Sequence, residues 1–210
     1  MSEPNSQYPL HIAELIDRIG RLTRELQFVH GLNPAQWETL RFLKRANGQS
    51  RTPGCLAEFL CATKGTTSQT VISLENKGLL QRIRDPKDKR KVTLHLTERG
   101  REMLCHDPLR KIENMVRNME PTINAALTLG LAQILHQLQE AIGARTFGTC
   151  KRCTSFRCRS QHAEKQDICG LTGQPIGEGD NLRVCINFSH GKDCHPFLPE
   201  ELEPVLNRQK

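Results

Sequence analysis

The chain has 210 residues, of which 37% are hydrophobic, and its formal net charge is +7. This length fits one domain with an appendage or two small domains, and the apolar content is enough for a core, which excludes a fully disordered chain. No run approaches the roughly eighteen consecutive apolar residues of a membrane-spanning helix, and residues 1–10 lack the basic and apolar regions of an export signal. We therefore expect a cytoplasmic protein without a membrane partner.

Two amphipathic helices are predicted at the start of the chain. Apolar residues recur every three or four positions from Ile12 to Val29, and Gly31 follows as a helix stop. Asn33 and Pro34 then supply an N-cap and a first helical residue for the second helix. Trp37 on that helix is expected in the core, because it lies on an apolar stripe.

The next segment predicts a helix-turn-helix. A third helix begins at Thr52 and Pro53 and ends near Cys61, and Thr63 caps a fourth that runs to about Asn76 before Gly78. Short polar side chains on an exposed helix face suit hydrogen bonding to base edges in the major groove. On the outward face of the fourth helix these are Lys64, Thr66, Ser68 and Gln69.

A basic β-hairpin follows the fourth helix directly. The segments LLQRIR and VTLHL are rich in strand-forming residues, and DPKDKRK joins them with an Asp-Pro turn. Such a hairpin is a wing that can enter a minor groove or contact phosphates. Its candidate DNA contacts are Arg84, Lys87, Asp88, Lys89, Arg90 and Lys91. Asp88 is placed to orient the guanidinium of Arg90 through a bidentate pair.

The positive charge is concentrated in the same segment. Residues 51–100 carry ten Lys or Arg against five Asp or Glu, whereas residues 101–150 carry five against five. A local surplus of this kind is expected where a protein contacts phosphates. The motif and the charge together predict binding to double-stranded DNA.

Residues 33–104 resemble the MarR family of bacterial winged-helix regulators. The resemblance lies in T-K-G-T-T-S at the start of the fourth helix, L-E-N-K-G-L-L-Q-R before the wing, D-P-K-D-K-R in the wing and L-T-E-R-G after it. It implies a homodimer with interlocking terminal helices, a recognition helix in each of two major grooves, and Arg90 in the minor groove with Asp88 as its partner. It also implies a nucleoid-associated repressor, and this family often binds small aromatic effectors.

The terminal helices support a dimer independently of the resemblance. Apolar residues from Ile123 to Ile142 form one helical stripe, and the first helix carries another, which is more apolar surface than one winged helix covers. The predicted fold class is mainly α (α+β). Its parts are an N-terminal dimerisation helix (1–32), a winged helix-turn-helix (33–104), C-terminal dimerisation helices (105–145) and a small irregular cysteine-rich metal-binding segment and tail (146–210).

The cysteine-rich segment predicts a metal centre. Without an export signal, disulfides are disfavoured. A segment with so little amphipathic periodicity cannot bury a core of its own, so we expect a bound metal to stabilise its fold. Cys150, Cys153, Cys169 and Cys185 form C-x2-C-x15-C-x15-C, a complete four-thiolate set. Rivals for the last two ligands are Cys158, Cys194, His162, His190 and His195.

Two kinds of centre accept four thiolates, an iron–sulfur cluster of the 4Fe–4S type and a zinc ion. The third and fourth cysteines are isolated rather than paired, which favours the cluster slightly. A cluster that responds to redox conditions or is easily lost could also change the activity of a regulator. A purely structural zinc with a small aromatic effector is the alternative. A metalloenzyme is disfavoured because the chain lacks a convincing acid or base constellation, so we expect that the protein is not an enzyme.

Overall fold

The computed structural model of the chain describes residues 7–86, 88, 90–158 and 166–189. Helices dominate the first two thirds, and the described residues form three two-stranded sheets, β1–β2, β3–β6 and β4–β5, of which the last lies between β3 and β6 in sequence. The helices are α1 (Gln7–Glu25), α2 (Pro34–Arg45), α3 (Pro53–Phe59), α4 (Lys64–Asn76), α5 (Glu98–Met103), α6 (Arg110–Arg117) and α7 (Pro121–Ile142). The strands are β1 (Leu80–Arg84), β2 (Val92–Leu96), β3 (Gly148–Thr149), β4 (Phe156–Arg157), β5 (Ile168–Cys169) and β6 (Val184–Cys185).

The helix ends follow local capping chemistry and confirm the predicted starts. At α2 the Asn33 side chain accepts from the Gln36 backbone N–H at 3.0 Å, while the Gln36 side chain accepts from the Asn33 N–H at 3.1 Å. Thr63 caps α4 in the same way by accepting the Thr66 N–H at 3.1 Å. Gly78 ends the following turn with φ +68°, a left-handed conformation that glycine adopts without a Cβ penalty. The end of the first helix was predicted too late: α1 ends at Glu25 rather than near Gly31.

One core joins α2, α3, α4 and the β1–β2 hairpin. Its members are fully or nearly fully buried, and Trp37 lies among them as predicted. Thr67 of α4 also points inward and is buried. The buried leucine and valine side chains of this core are Leu32, Leu40, Leu43, Leu56, Val71, Leu74, Leu79, Leu80, Leu94, Leu96 and Leu104.

The wing is the antiparallel pair β1–β2, with register from Leu80 opposite Leu96 to Arg84 opposite Val92. The Leu94 N–H donates to the Arg51 carbonyl at 2.7 Å, so the segment before α3 ties the hairpin to the helices. α5 packs closely on the start of the hairpin, because a Cβ at Gly100 would lie 2.0 Å from the Leu79 carbonyl oxygen. The hairpin is therefore fixed to the helical core at its base.

The two long terminal helices leave an apolar surface uncovered within the described residues. The exposed large hydrophobics on α1 and α7 are Leu10, Ile12, Leu15, Ile16, Ile19, Leu22, Ile123, Leu127, Leu131, Ile134, Leu135, Leu138 and Ile142. None of the described helices combines the length and the apolarity that crossing a membrane requires.

The cysteine-rich segment folds against the winged helix. We call residues 146–158 and 166–189 the cysteine module; in it β3 pairs with β6 and β4 pairs with β5, all antiparallel. Sequence periodicity predicted little core here, but Ile176, Val184, Ile186 and Phe188 are buried. The module acquires its core partly by docking, since β6 lies beside Ala46 and Asn47 at the end of α2.

Candidate nucleic-acid interface and cysteine cluster

The fourth helix presents a polar face to solvent. Lys64, Thr66, Ser68 and Gln69 are all exposed, while Val71 and Leu74 anchor the opposite face in the core. The Thr66 hydroxyl lies 2.9 Å from that of Thr63, so it belongs to the helix cap. Lys64, Ser68 and Gln69 remain the side chains of this face that are best placed to contact a ligand outside the protein.

The wing tip is ordered by its own backbone. The Asp85 N–H donates to the Lys91 carbonyl at 2.9 Å, and the Lys91 N–H donates to the Asp88 carbonyl at 2.8 Å. The Asp88 carboxylate accepts the backbone N–H of Arg90 at 3.1 Å. Asp88 thus orders the turn that carries Arg90. Its pairing with the Arg90 guanidinium stays a prediction.

Basic side chains project from this ordered hairpin. Arg84, Arg90 and Lys91 are exposed, while Lys87 and Lys89 lie outside the described residues. Lys64 at the start of α4 is exposed as well. Positive charge is therefore exposed on two neighbouring elements, α4 and the wing. This is the arrangement that phosphate contacts require.

An ion pair that the sequence analysis missed connects α4 to the wing. Arg82 Nε donates to Glu75 Oε2 at 2.9 Å, and the Arg82 backbone N–H donates to Glu75 Oε1 at 3.3 Å. The Arg82 hydrogen bonds lower the pKa of the Glu75 carboxyl and raise the pKa of Arg82. Opposite charges seven positions apart, across a helix end and a strand start, were the signal that could have predicted it.

The cysteine cluster brings together part of the predicted ligand set. Cys150 and Cys185 are buried neighbours, and Cys169 packs against them with Ile176 and Phe156. The Cys150 thiol donates to Cys185 Sγ, which raises the pKa of Cys150 and lowers the pKa of Cys185. Cys153 follows Cys150 in a tight turn, in which its N–H donates to the Cys150 carbonyl at 3.0 Å.

Hydrogen bonds from outside the cluster also reach its sulfurs. The Asn47 amide lies 3.5 Å from Cys150 Sγ, and the Ser189 N–H lies 3.5 Å from Cys153 Sγ. Within the described residues, however, no three His, Cys, Asp or Glu side chains are placed to hold a metal ion. Of the rival ligands, Cys158 is half-buried, and Cys194, His162, His190 and His195 lie outside the described residues.

The module contacts the turn between α2 and α3 through paired hydrogen bonds. The Asn47 N–H donates to the Val184 carbonyl at 2.8 Å, and the Ile186 N–H donates to the buried Ser50 hydroxyl at 3.0 Å. The Gly48 N–H donates to the Asp180 carboxylate at 2.8 Å. The cysteine cluster is therefore connected directly to the winged helix and not only through α7.

Comparison with known proteins identifies the winged helix. Residues 30–91 match the model of the MarR family. This region is a MarR-like winged helix. The chain is 36% identical over 75 residues to the uncharacterised HTH-type transcriptional regulator YkoM of Bacillus subtilis (strain 168), which is 36% of this chain and 47% of YkoM. It is 28% identical over 109 residues to YsmB of the same organism, which is 52% of this chain and 70% of YsmB.

Solved structures share the MarR-like fold over about two thirds of the chain. Streptococcus pneumoniae FabT, solved in complex with DNA, aligns with a TM-score of 0.52 at 22% identity over 64% of this chain and 97% of FabT. The regulator BldR from Sulfolobus solfataricus aligns with a TM-score of 0.50 at 26% identity over 65% of this chain and 99% of BldR. The matched region of YkoM is about half of that protein, and the family match ends before the cysteine module begins.

Proposed function

We propose that this chain is a MarR-type transcription regulator that binds double-stranded DNA through α4 and the wing. The observation that carries the proposal is the exposed face of Lys64, Ser68 and Gln69 beside a hairpin that presents Arg84, Arg90 and Lys91. The Glu75–Arg82 pair holds these two elements together, so a helix in the major groove and a wing in the minor groove would dock as a unit. FabT, a similar fold, was solved with DNA bound.

The regulator acts as a homodimer in this proposal. Leu131 is 46% exposed, Leu138 54% and Ile142 65%, and a contiguous apolar stripe of this kind marks an interaction surface. A second copy is the occupant that the sequence predicts, since α1 and α7 of one protomer offer complementary stripes to a two-fold partner. Two copies would present two α4 helices to half-sites about one helical turn apart.

Selection of bound duplexes from a random DNA pool tests this function. We expect the recovered sites to contain inverted half-sites centred about ten base pairs apart, and the affinity to fall steeply as salt rises. Placing such a site over a promoter in a transcription assay should repress the transcript. A recovered pool without a shared sequence, or binding that salt does not weaken, would contradict the proposal.

We further propose that Cys150, Cys153, Cys169 and Cys185 hold an iron–sulfur cluster or zinc ion that modulates DNA affinity. The donor set supports this, because the Cys150 and Cys185 thiols are in contact, Cys169 packs on them, and two N–H groups point at sulfurs as they do around thiolate-bound metals. Since no three described ligands are placed to hold an ion, binding requires side-chain rearrangement. The group would supply a metal-dependent staple for the module.

The docking of the module gives this modulation a route. Asn47, Gly48 and Ser50, which contact the module, immediately precede α3, the first helix of the helix-turn-helix. A change in the cluster can therefore shift α3 and α4 within one protomer. This route needs no movement of α7.

Anaerobic purification tests the metal proposal. We expect iron with sulfide and a brown colour, or zinc without colour, at one centre per chain, and a change in operator affinity when the metal is removed. The Cys150→Ala variant should lose the metal, whereas Cys105→Ala, a change at an exposed cysteine outside the module, should retain it. Metal-free wild-type protein, or equal affinity of the loaded and stripped forms, would overturn it.

A further inference from the structure

A basic cavity lies where the winged helix meets the cysteine module. Its volume is about 490 Å³, within the usual range for small-molecule sites. Lys44 contributes from the end of α2, Arg51 from the segment before α3, Arg101 from α5 and Arg183 from the module. No sequence pattern predicts this site, because Lys44 and Arg183 are 139 positions apart.

The charges in the cavity are only half compensated. Arg101 pairs with Glu98 at 2.9 Å and Arg183 pairs with Asp180 at 3.3 Å, but the Arg51 Nε donates to the neutral carbonyl of Ala46 at 3.1 Å. Within the described residues Lys44 has no ion-pair partner. Four cations and two carboxylates leave a formal charge of +2 around the cavity.

Arg51 lies close to both signs of charge. Burial lowers the pKa of Arg51, the nearby positive charge of Arg183 lowers it further, and the Asp180 carboxylate acts in the opposite direction. Arg51 is half-buried, whereas Lys44, Arg101 and Arg183 reach the cavity from exposed positions. An anion that entered the cavity would reduce the repulsion between these like charges.

The remaining lining is apolar or neutral. Leu43 and Leu96 supply aliphatic surface. Burial and then the charge of Arg51 lower the pKa of His95, which favours a neutral ring there. The ring is also held in place, since its Nε2 lies 3.0 Å from the Thr93 hydroxyl. The cavity thus offers cationic donors beside an apolar wall.

We propose that this cavity binds a small organic dianion with an apolar body, of the phosphate monoester or dicarboxylate class. Arginine guanidinium groups bind the oxygens of both classes through paired hydrogen bonds, and a charge of −2 matches the uncompensated +2. A bound dianion would bridge Arg183 of the module and Arg51 of the winged helix and so stabilise their contact. Any effect of the ligand on DNA affinity rests on the function proposed above, whereas binding itself does not.

Titration calorimetry on the full chain tests the site without DNA. The probes are phenyl phosphate and phthalate as dianions, benzenesulfonate as a monoanion and phenol as a neutral control. We expect one or both dianions to bind, the monoanion to bind more weakly and phenol not to bind. The preference between phenyl phosphate and phthalate assigns the ligand class.

Two variants and one control complete the test. Lys44→Gln and Arg183→Gln should each weaken dianion binding about ten-fold, because each removes a charged hydrogen-bond donor. Lys111→Gln, at an exposed cation on α6, should bind like the wild type. Absent dianion binding, equal binding of phenol, or wild-type affinity in both cavity variants would overturn the proposal. Loss of binding in Lys111→Gln equal to that in the cavity variants would overturn it as well.

Discussion

At the scale of single residues, Asn47 links the two parts of the molecule. Its side-chain oxygen accepts the Ser50 N–H at 2.9 Å, its amide donates to Cys150 Sγ at 3.5 Å, and the residue is 3% exposed. Asn47→Ala removes both interactions and leaves buried polar groups with fewer partners. We expect the free energy of unfolding to fall by about 1–3 kcal/mol, measured by urea denaturation.

Gln49 provides the matched control on the same turn. In the described part of the chain its side chain makes one hydrogen bond, accepting from the exposed Thr172 hydroxyl at 3.2 Å. Gln49→Ala should change the unfolding free energy by less than about 0.5 kcal/mol. If both variants lost the same stability, the role of Asn47 as a buried link would be wrong.

Gly100 allows the closest backbone approach in the winged helix. A Cβ at this position would meet the Leu79 carbonyl oxygen at 2.0 Å, and backbone cannot give way as a flexible side chain can. Gly100→Ala should therefore destabilise the protein by about 3 kcal/mol, measured as a lower urea midpoint. Gly54→Ala in α3 meets nothing closer than 4.0 Å and should be neutral or slightly stabilising. An unchanged midpoint in Gly100→Ala would contradict the packing of α5 on the hairpin.

The residue-level features that the sequence predicts are those that depend on neighbours along the chain. The side chains of Asn33, Thr63 and Thr97 each accept the backbone N–H three residues later. The residue type at these positions therefore predicts the helix start. Asp88 shows the limit of this reasoning. Its spacing to Arg90 suits both a bond to the guanidinium and the observed bond to the Arg90 backbone N–H, so the spacing alone does not predict the backbone bond.

At the scale of elements, the winged helix could be predicted almost completely, because its helices and hairpin have strong periodicity and turn residues. The short helix α6 lies within the predicted C-terminal helices (105–145), and its Ile112, Met115 and Val116 recur at helical spacing although none of its residues is buried. The cysteine module was harder to predict. Its docking uses backbone groups of Asn47, Val184 and Ile186. Because nearly every residue has the same backbone groups, the sequence does not indicate which of them will form these hydrogen bonds.

The apolar stripe of α7 makes a specific prediction about assembly. Leu138 is 54% exposed on the stripe, and a lysine there would place a charge in the proposed dimer interface without a partner. Leu138→Lys should therefore dissociate the dimer to a monomer, or weaken the dimer at least about ten-fold, in sedimentation experiments.

The neighbouring Gln137 is exposed and polar, which makes it the matched control for Leu138. Gln137→Lys adds the same charge off the stripe and should leave the dimer intact. A dimer that survives Leu138→Lys would show that another surface forms the interface. Wild-type protein that sediments as a monomer would contradict the proposed dimer.

At the scale of the whole molecule, the cysteine module, α4 and the wing form one connected structure. The cysteine cluster touches Asn47, the basic cavity spans Arg51 and Arg183, and the Glu75–Arg82 pair extends the connection from α4 to the wing. In the sequence these parts are separate, with the winged helix in the first half of the chain and the cysteine module near its C-terminal end. Contacts between residues more than a hundred positions apart place the cysteine module against the turn that precedes α3.

The most direct test of the central claim is the DNA affinity of a chain with Lys64→Glu and Arg90→Glu, measured at moderate salt on a selected site. Both positions are exposed, so the fold should persist, and reversing two phosphate-facing charges should weaken binding at least about a hundred-fold and flatten its salt dependence. A chain with Lys111→Glu and Lys151→Glu has the same net charge and should bind within a few-fold of wild type. Unchanged affinity in the first chain would contradict DNA recognition by α4 and the wing.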